Sequence, residues 1–190
     1  PVVQILYRTP LKGASAVLVD QEQGGYLAAR HVLELGHRRI ACLWVDDPHG
    51  RQRLAGFRRA LAEAGLAADP SLVVPVDYDW HLGRSATESL LARAVRPTAI
   101  VAASDLVAWG AIRAAKEAGL GVPGDLSVVG FDDMPLAGYV EVPLTTVRQP
   151  TEALGRQALS LLRERINGND VEDRVLAPEL VVRGSTGPVG

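Results

Sequence analysis

Apolar runs and stretches of helical spacing alternate along the chain. The β-rich runs fall at residues 2–7, 16–19, 40–45, 72–78, 99–103, 126–131 and 175–182. Between most of them, apolar residues step by three and four, as in Ala28, Val32, Leu35, in Leu54, Phe57, Leu61, and in Leu154, Ala158, Leu161. Such spacing lines one face of a helix. Gly36, Gly65, Gly119 and the pair Asn167–Gly168 close helical stretches, where a left-handed residue suits glycine. Asp105 and Thr151 stand where helix N-caps are expected. Strands alternating with helices predict right-handed βαβ units and parallel sheets, an α/β fold.

Composition narrows the function classes. With 190 residues, 47% of them hydrophobic, the chain can bury a core and form one to two domains. Twenty Lys plus Arg against 22 Asp plus Glu give a net charge of −2, without the basic excess of a bare nucleic-acid module. No run approaches the roughly 18 apolar residues of a membrane span, and no leader pattern opens the chain. A cytoplasmic protein with no membrane partner is expected. The single cysteine, Cys42, excludes an internal disulfide and a multi-cysteine metal site. Pro1 runs straight into an apolar stretch, so the chain is expected to start inside a domain.

Candidate chemistry gathers where strands end. The run 40–45 leads into Asp46 and Asp47, 72–78 into Asp79 and Trp80, 99–103 into Ser104 and Asp105, and 126–131 into Asp132 and Asp133. In an open parallel sheet these ends share one edge, where ligands bind. Arg51 and Arg53 open the helix after the first of these strands and can supply bidentate donors. An Asp at a strand end also serves simply as the cap of the next helix, and both readings stand for Asp105. Trp80, a large aromatic in a polar loop, stacks either on the protein or on a ligand. His31, His37, His49 and His81 form no paired ligand motif, so no metal is expected. No phosphate-cradling loop and no nucleophile elbow is present. Neither Lys12 nor Lys116 is placed to serve a phosphotransferase, and no enzyme activity or cofactor is expected. Acceptors, arginines and an aromatic plane suit a polyhydroxylated or heteroaromatic small molecule.

Five segments together resemble the LacI/GalR family of bacterial transcription regulators: "GGYLAARHVLELGHRRIACL", "RLAGFRRALAEAGL", "PTAIVAASDLVAWGAIRAAKEAGLGVPGDLSVVGFDDMPLA", "PLTTVRQPTEALGRQAL" and "PELVVRGST". The resemblance covers nearly the whole chain. It implies two doubly wound parallel-sheet lobes of periplasmic-binding-protein type I closing over a small-molecule effector, the first lobe incomplete. On that basis residues 1–38 and 151–173 belong to the N-terminal lobe, 39–143 and 174–190 to the C-terminal lobe, and 144–150 to a crossover. It further implies a homodimer, and operator DNA as a partner only through an N-terminal helix-turn-helix domain that this sequence lacks. A transport-type sugar-binding protein of the same fold is the alternative.

Effector roles carry over residue by residue. Arg53 of "RLAGF" matches the family's effector-binding arginine, Trp80 its stacking aromatic, Asp132 its hydroxyl-accepting acid and Gln149 its polar crossover residue. Ser104 stands where the family often has asparagine, and Tyr7 where it often has aspartate before arginine. Both changes fall at expected effector positions, so the effector's identity does not transfer from any relative.

Overall fold

The computed structural model describes residues 1–190, which form two compact units. The first comprises Pro1–Asp20 and Gln149–Pro178, and the second Gln21–Arg148 and Glu179–Gly190. In the first unit, strands β1 (Val2–Ile5), β2 (Ala14–Val19) and β8 (Arg174–Leu176) form a parallel sheet in the order β1-β2-β8. Helix α5 (Thr151–Ile166) covers it. Its core is small: Val17, Val19, Leu154, Ala158 and Leu161 are buried, with Val3 and Leu176 packed against them.

The second unit holds a six-stranded sheet in the order β4-β3-β5-β6-β7-β9. Its strands are β3 (Ile40–Trp44), β4 (Val73–Pro75), β5 (Ala99–Ala102), β6 (Ser127–Asp132), β7 (Thr145–Arg148) and β9 (Glu179–Val181). Five run parallel, and β9 pairs antiparallel with β7. Helices α1 (Gln21–Glu34) and α2 (Pro48–Glu63) share one core cluster with Cys42, Val101, Val129 and Phe131. Leu43, Ile100, Ala102 and Val128 belong to the opposite cluster, to which α4 (Asp105–Glu117) contributes and against which α3 (Trp80–Leu91) packs. Alternate residues of one strand thus enter different cores, which is why these strands read as unbroken apolar runs.

Glycines set the spacing of both helix pairs. A Cβ on Gly56 would fall 1.9 Å from the Glu22 carbonyl oxygen, and one on Gly25 would fall 2.0 Å from that of Arg53, so α1 and α2 meet backbone to backbone. Gly110 and Gly83 do the same for α4 and α3, against the Trp80 and Val107 carbonyls at 2.1 and 2.4 Å.

Several expectations change. Helix α1 packs on α2 in the second unit, so residues 21–38 do not belong with the first lobe; helical spacing shows that a face is buried, not which sheet buries it. Residues 145–148 are a sheet strand rather than part of a crossover, with Thr145, Thr146 and Val147 buried. The run 175–182 is two strands in different units, broken by Pro178, so 174–178 leave the second lobe. The run 72–78 is a short 3₁₀ turn (Pro70–Leu72) followed by β4. Ser104, not Asp105, caps α4, and α5 starts at Thr151 without a side-chain cap. The helix-closing glycines stand as expected, Gly36, Gly65, Gly119 and Gly168 having φ of 93°, 72°, 74° and 84°.

The C-terminal segment is tied across the far edge of the second sheet. Buried His37 bonds Thr98 through Nδ1 (2.9 Å) and lies 3.0 Å from both Ser127 Oγ and the Gly187 carbonyl through Nε2. Burial lowers the His37 pKa, opposed by the bond to Gly187. The folded state therefore keeps His37 neutral where the unfolded chain, with an imidazole pKa of about 6.5, binds a proton. Stability is complete above that value and falls as pH drops through it.

Two outcomes are expected. Gly56→Ala should destabilise the protein by about 1–3 kcal/mol through overpacking, read by denaturant unfolding, whereas Gly65→Ala, at a site with nothing within 4 Å, acts only through its positive φ and should cost less. The melting temperature should fall between about pH 7.5 and about pH 5.5. His31, also lowered by burial, adds to this slope, and Asp105, which burial raises to about 6, opposes it, so a shallower slope in His37→Gln isolates the His37 share; an unchanged slope would remove it.

Candidate functional site

The ends of β3, β5, β6 and β7 converge on one edge of the second unit, as their parallel register requires. Helix α2 starts directly against this edge. Asp47 caps it, its Oδ1 accepting from Gly50 N at 2.6 Å, and a Cβ on Gly50 would lie 1.9 Å from the Val45 carbonyl. That close first turn carries Arg53 inward.

Arg53 is only 9% exposed. Its Nε donates to Gln21 Oε1 (2.8 Å) and its Nη1 to the Ala103 carbonyl (2.5 Å). The guanidinium carbon stands 3.6 Å over the Phe131 ring centroid, and Nη2 is 3.9 Å from Asp132 Oδ1. A buried guanidinium needs such partners to offset lost hydration, and the face over Phe131 adds a cation–π contact. Beneath it, a cavity of about 20 Å³ lined by Trp44, Phe57, Val101 and others has room for about one water. This cavity is too small for a sugar-sized molecule.

The three acids of this edge differ sharply. Asp132 keeps a third of its side chain exposed and takes φ +111°, and Asp133 follows at +54°, a backbone left-handed at both residues and disfavoured without surrounding support. Asp133 is clamped by Arg148 (2.6 Å) and Arg183 (2.7 Å), and Arg148 also bonds Glu179 (2.6 Å). Burial pushes the Asp133 pKa up, but the two arginine bonds outweigh it and hold the carboxyl below its usual range. Asp105 is fully buried, and desolvation pushes its pKa up to about 6 despite bonds from Thr146 and Met134 N.

The other expected residues are placed as follows. Ser104 is buried and its Oγ accepts from Val107 N (3.4 Å), capping α4 beside the Ala103 carbonyl that holds Arg53. Trp80 is not in a loop but opens α3, which Asp79 caps; it is 41% exposed, its ring tilted against His81 at 4.0 Å. Tyr7, half-exposed, follows β1, and Gln149, whose carbonyl accepts from Thr151 N, precedes α5; both lie in the first unit. Within the second unit, Arg53, Asp132 and Ser104 come together. Sequence reasoning missed Gln21, the Asp133 clamp, and the Asp105–Thr146 pair. Only Gln21, a polar residue directly before an apolar helix face, carried any local signal.

A parallel sheet with a buried arginine and a part-exposed acid at its strand ends makes this an α/β domain with a polar strand-end edge. A family model described as a periplasmic binding protein-like domain matches residues 15–186. The chain is 39% identical over 170 residues to the HTH-type transcriptional repressor PurR of Photobacterium profundum, covering 87% of this chain and 51% of that protein. It superposes on a LacI transcriptional regulator from a Rhodococcus species with a TM-score of 0.91 at 37% identity, covering all of this chain and 70% of that one. A LacI family regulator from Enterococcus faecium with bound ribose gives a TM-score of 0.89 at 31% identity, covering 100% and 72%. The chain belongs to the LacI family of regulators, in its periplasmic-binding-protein-like domain. It spans about half the length of the curated relatives it matches.

Removing Arg53 should disturb both the fold and the edge. Arg53→Ala is expected to destabilise by about 1–3 kcal/mol, since it strands Gln21 and the Ala103 carbonyl without their donor, and Gln21→Ala should cost less. Chemical denaturation of both variants checks the order.

Proposed function

We propose that this domain is the effector-sensing core of a LacI-type transcription regulator. It binds a polyhydroxylated small molecule, a sugar or a nucleoside-like compound, on the strand-end edge of the second unit. The observation that carries this reading is the buried Arg53 guanidinium facing the half-open Asp132 carboxylate at 3.9 Å. Paired hydroxyls can accept from the one and donate to the other, and such charge-assisted bonds discriminate strongly against analogues that lack them. Within that unit Ser104 and Trp80 complete the proposed set, with Trp80 offering a ring face.

Effector binding favours one arrangement of the full protein over another and so changes its operator affinity through a helix-turn-helix head, a coupling of about 1–3 kcal/mol. The named regulator relatives support this over a transport role. The protein works in the cytoplasm; no helix is long and apolar enough to cross a membrane. It acts as a homodimer without catalysing a reaction, and the apolar residues after β6, Leu136 at 60% and Tyr139 at 89% exposure, offer a surface for the second copy.

A thermal-shift panel of pentoses, hexoses, disaccharides and nucleosides tests the reading. One compound should raise the melting temperature in a concentration-dependent way, and Asp132→Asn should weaken that effect at least about tenfold, or 1.4 kcal/mol. Stabilisation untouched by Asp132→Asn would move the site elsewhere.

A further inference from the structure

Asp105 is a fully buried carboxylate that no effector role uses, and its surroundings are built around it. Its Oδ1 accepts from the Thr146 hydroxyl at 2.5 Å and its Oδ2 from Met134 N at 2.6 Å. A Cβ on Gly130 would fall 2.4 Å from Oδ1, so that position admits the carboxylate only because it is glycine. Thr146 Oγ1 also receives Asp133 N at 3.4 Å. The two bonds thus hold the Asp133 and Met134 amides, directly after Asp132, where Asp132 and Asp133 have consecutive positive φ angles.

We propose that Asp105 is a positioning residue for Asp132: it holds the left-handed turn that aims the Asp132 carboxylate along the strand-end edge. This rests on the reading of that edge as the effector site. While Asp105 is ionised, both of its oxygens accept charge-assisted bonds. Once it is protonated, one oxygen carries a hydrogen, the Met134 and Thr146 bonds weaken, and the turn loses the support its backbone needs. The charged groups around it are known. Asp132 and Asp133 face it from the end of β6, and both raise its pKa. Arg148 and Arg183 are committed to Asp133, and Arg53 stands beside Asp132. Because its protonation loosens the bonds to Met134 N and Thr146, Asp105 couples effector affinity to mild acidification.

Met134 is the only methionine in the chain, so labelling with ¹⁵N-methionine gives one backbone amide resonance, from the group that bonds Asp105. In the wild type this resonance should shift with one transition at about 6, and in Asp105→Asn it should stay fixed. Asp132→Asn should move the midpoint down by removing a like charge, and Thr146→Val should move it up by removing a donor. If Asp105→Asn does not fold, these two opposite shifts decide. Calorimetry with ribose and with cellobiose supplies the second readout: a sugar that binds should bind at least about threefold more weakly at about pH 5 than at about pH 8, and equally at both in Asp105→Asn.

A flat Met134 resonance in the wild type, the same transition in Asp105→Asn, or sugar affinity independent of pH overturns the assignment. Failure of both sugars to bind counts against the effector reading for those sugars, while the amide titration still decides the role of Asp105.

Discussion

One buried positive charge organises the second unit. The Arg53 guanidinium sits where α1, α2, β5 and β6 meet: α1 supplies the Gln21 amide, α2 the backbone, the residue after β5 a carbonyl, and β6 both the ring beneath and the acid beside it. This geometry requires α1 and α2 to touch backbone to backbone, which Gly25 and Gly56 permit. Removing one partner of a buried charge costs more than the bond itself is worth. On the proposed reading of the edge, the same contacts that stabilise the fold preorganise the donor face for a ligand, lowering the ordering cost of binding.

The acids around that charge show how three like groups coexist. Asp133 is neutralised by two arginines, Asp105 is buried and drawn towards its neutral form, and Asp132 stays partly solvated beside Arg53. Of the three, only Asp132 keeps as much as a third of its side chain exposed. Burying a carboxylate at Asp105 is costly, and its bonds to Met134 N and Thr146 recover part of that cost by supporting a backbone that would otherwise relax.

Much of this was legible in the sequence because each buried strand serves two cores. Ile40–Trp44 and Ala99–Ala102 appear as continuous apolar runs for that reason, and the polar residues that follow them mark the edge. The glycines after α1, α2, α4 and α5 stood out because only their positive φ ends those helices. What stayed hidden was tertiary. Nothing local says that the Ala28–Val32 stripe faces α2 in the second unit, or that Thr145–Arg148 is a strand between β6 and β9. Asp105 reads from sequence as either a cap or an edge acceptor, because a strand-end acid before a helix can be both. Its true partners, Thr146 and Met134, lie 41 and 29 residues away. Trp80 read as a loop residue because α3, with Gly83 against α4, has too few large apolar residues for a clear period.

The most direct test of the account is a crystal structure of the protein with a stabilising sugar or nucleoside bound. The account predicts ligand hydroxyls within hydrogen-bond distance of the Arg53 guanidinium and the Asp132 carboxylate, with Gln21 still bonded to Arg53 Nε. Density for the compound at a site that touches neither Arg53 nor Asp132 would contradict it.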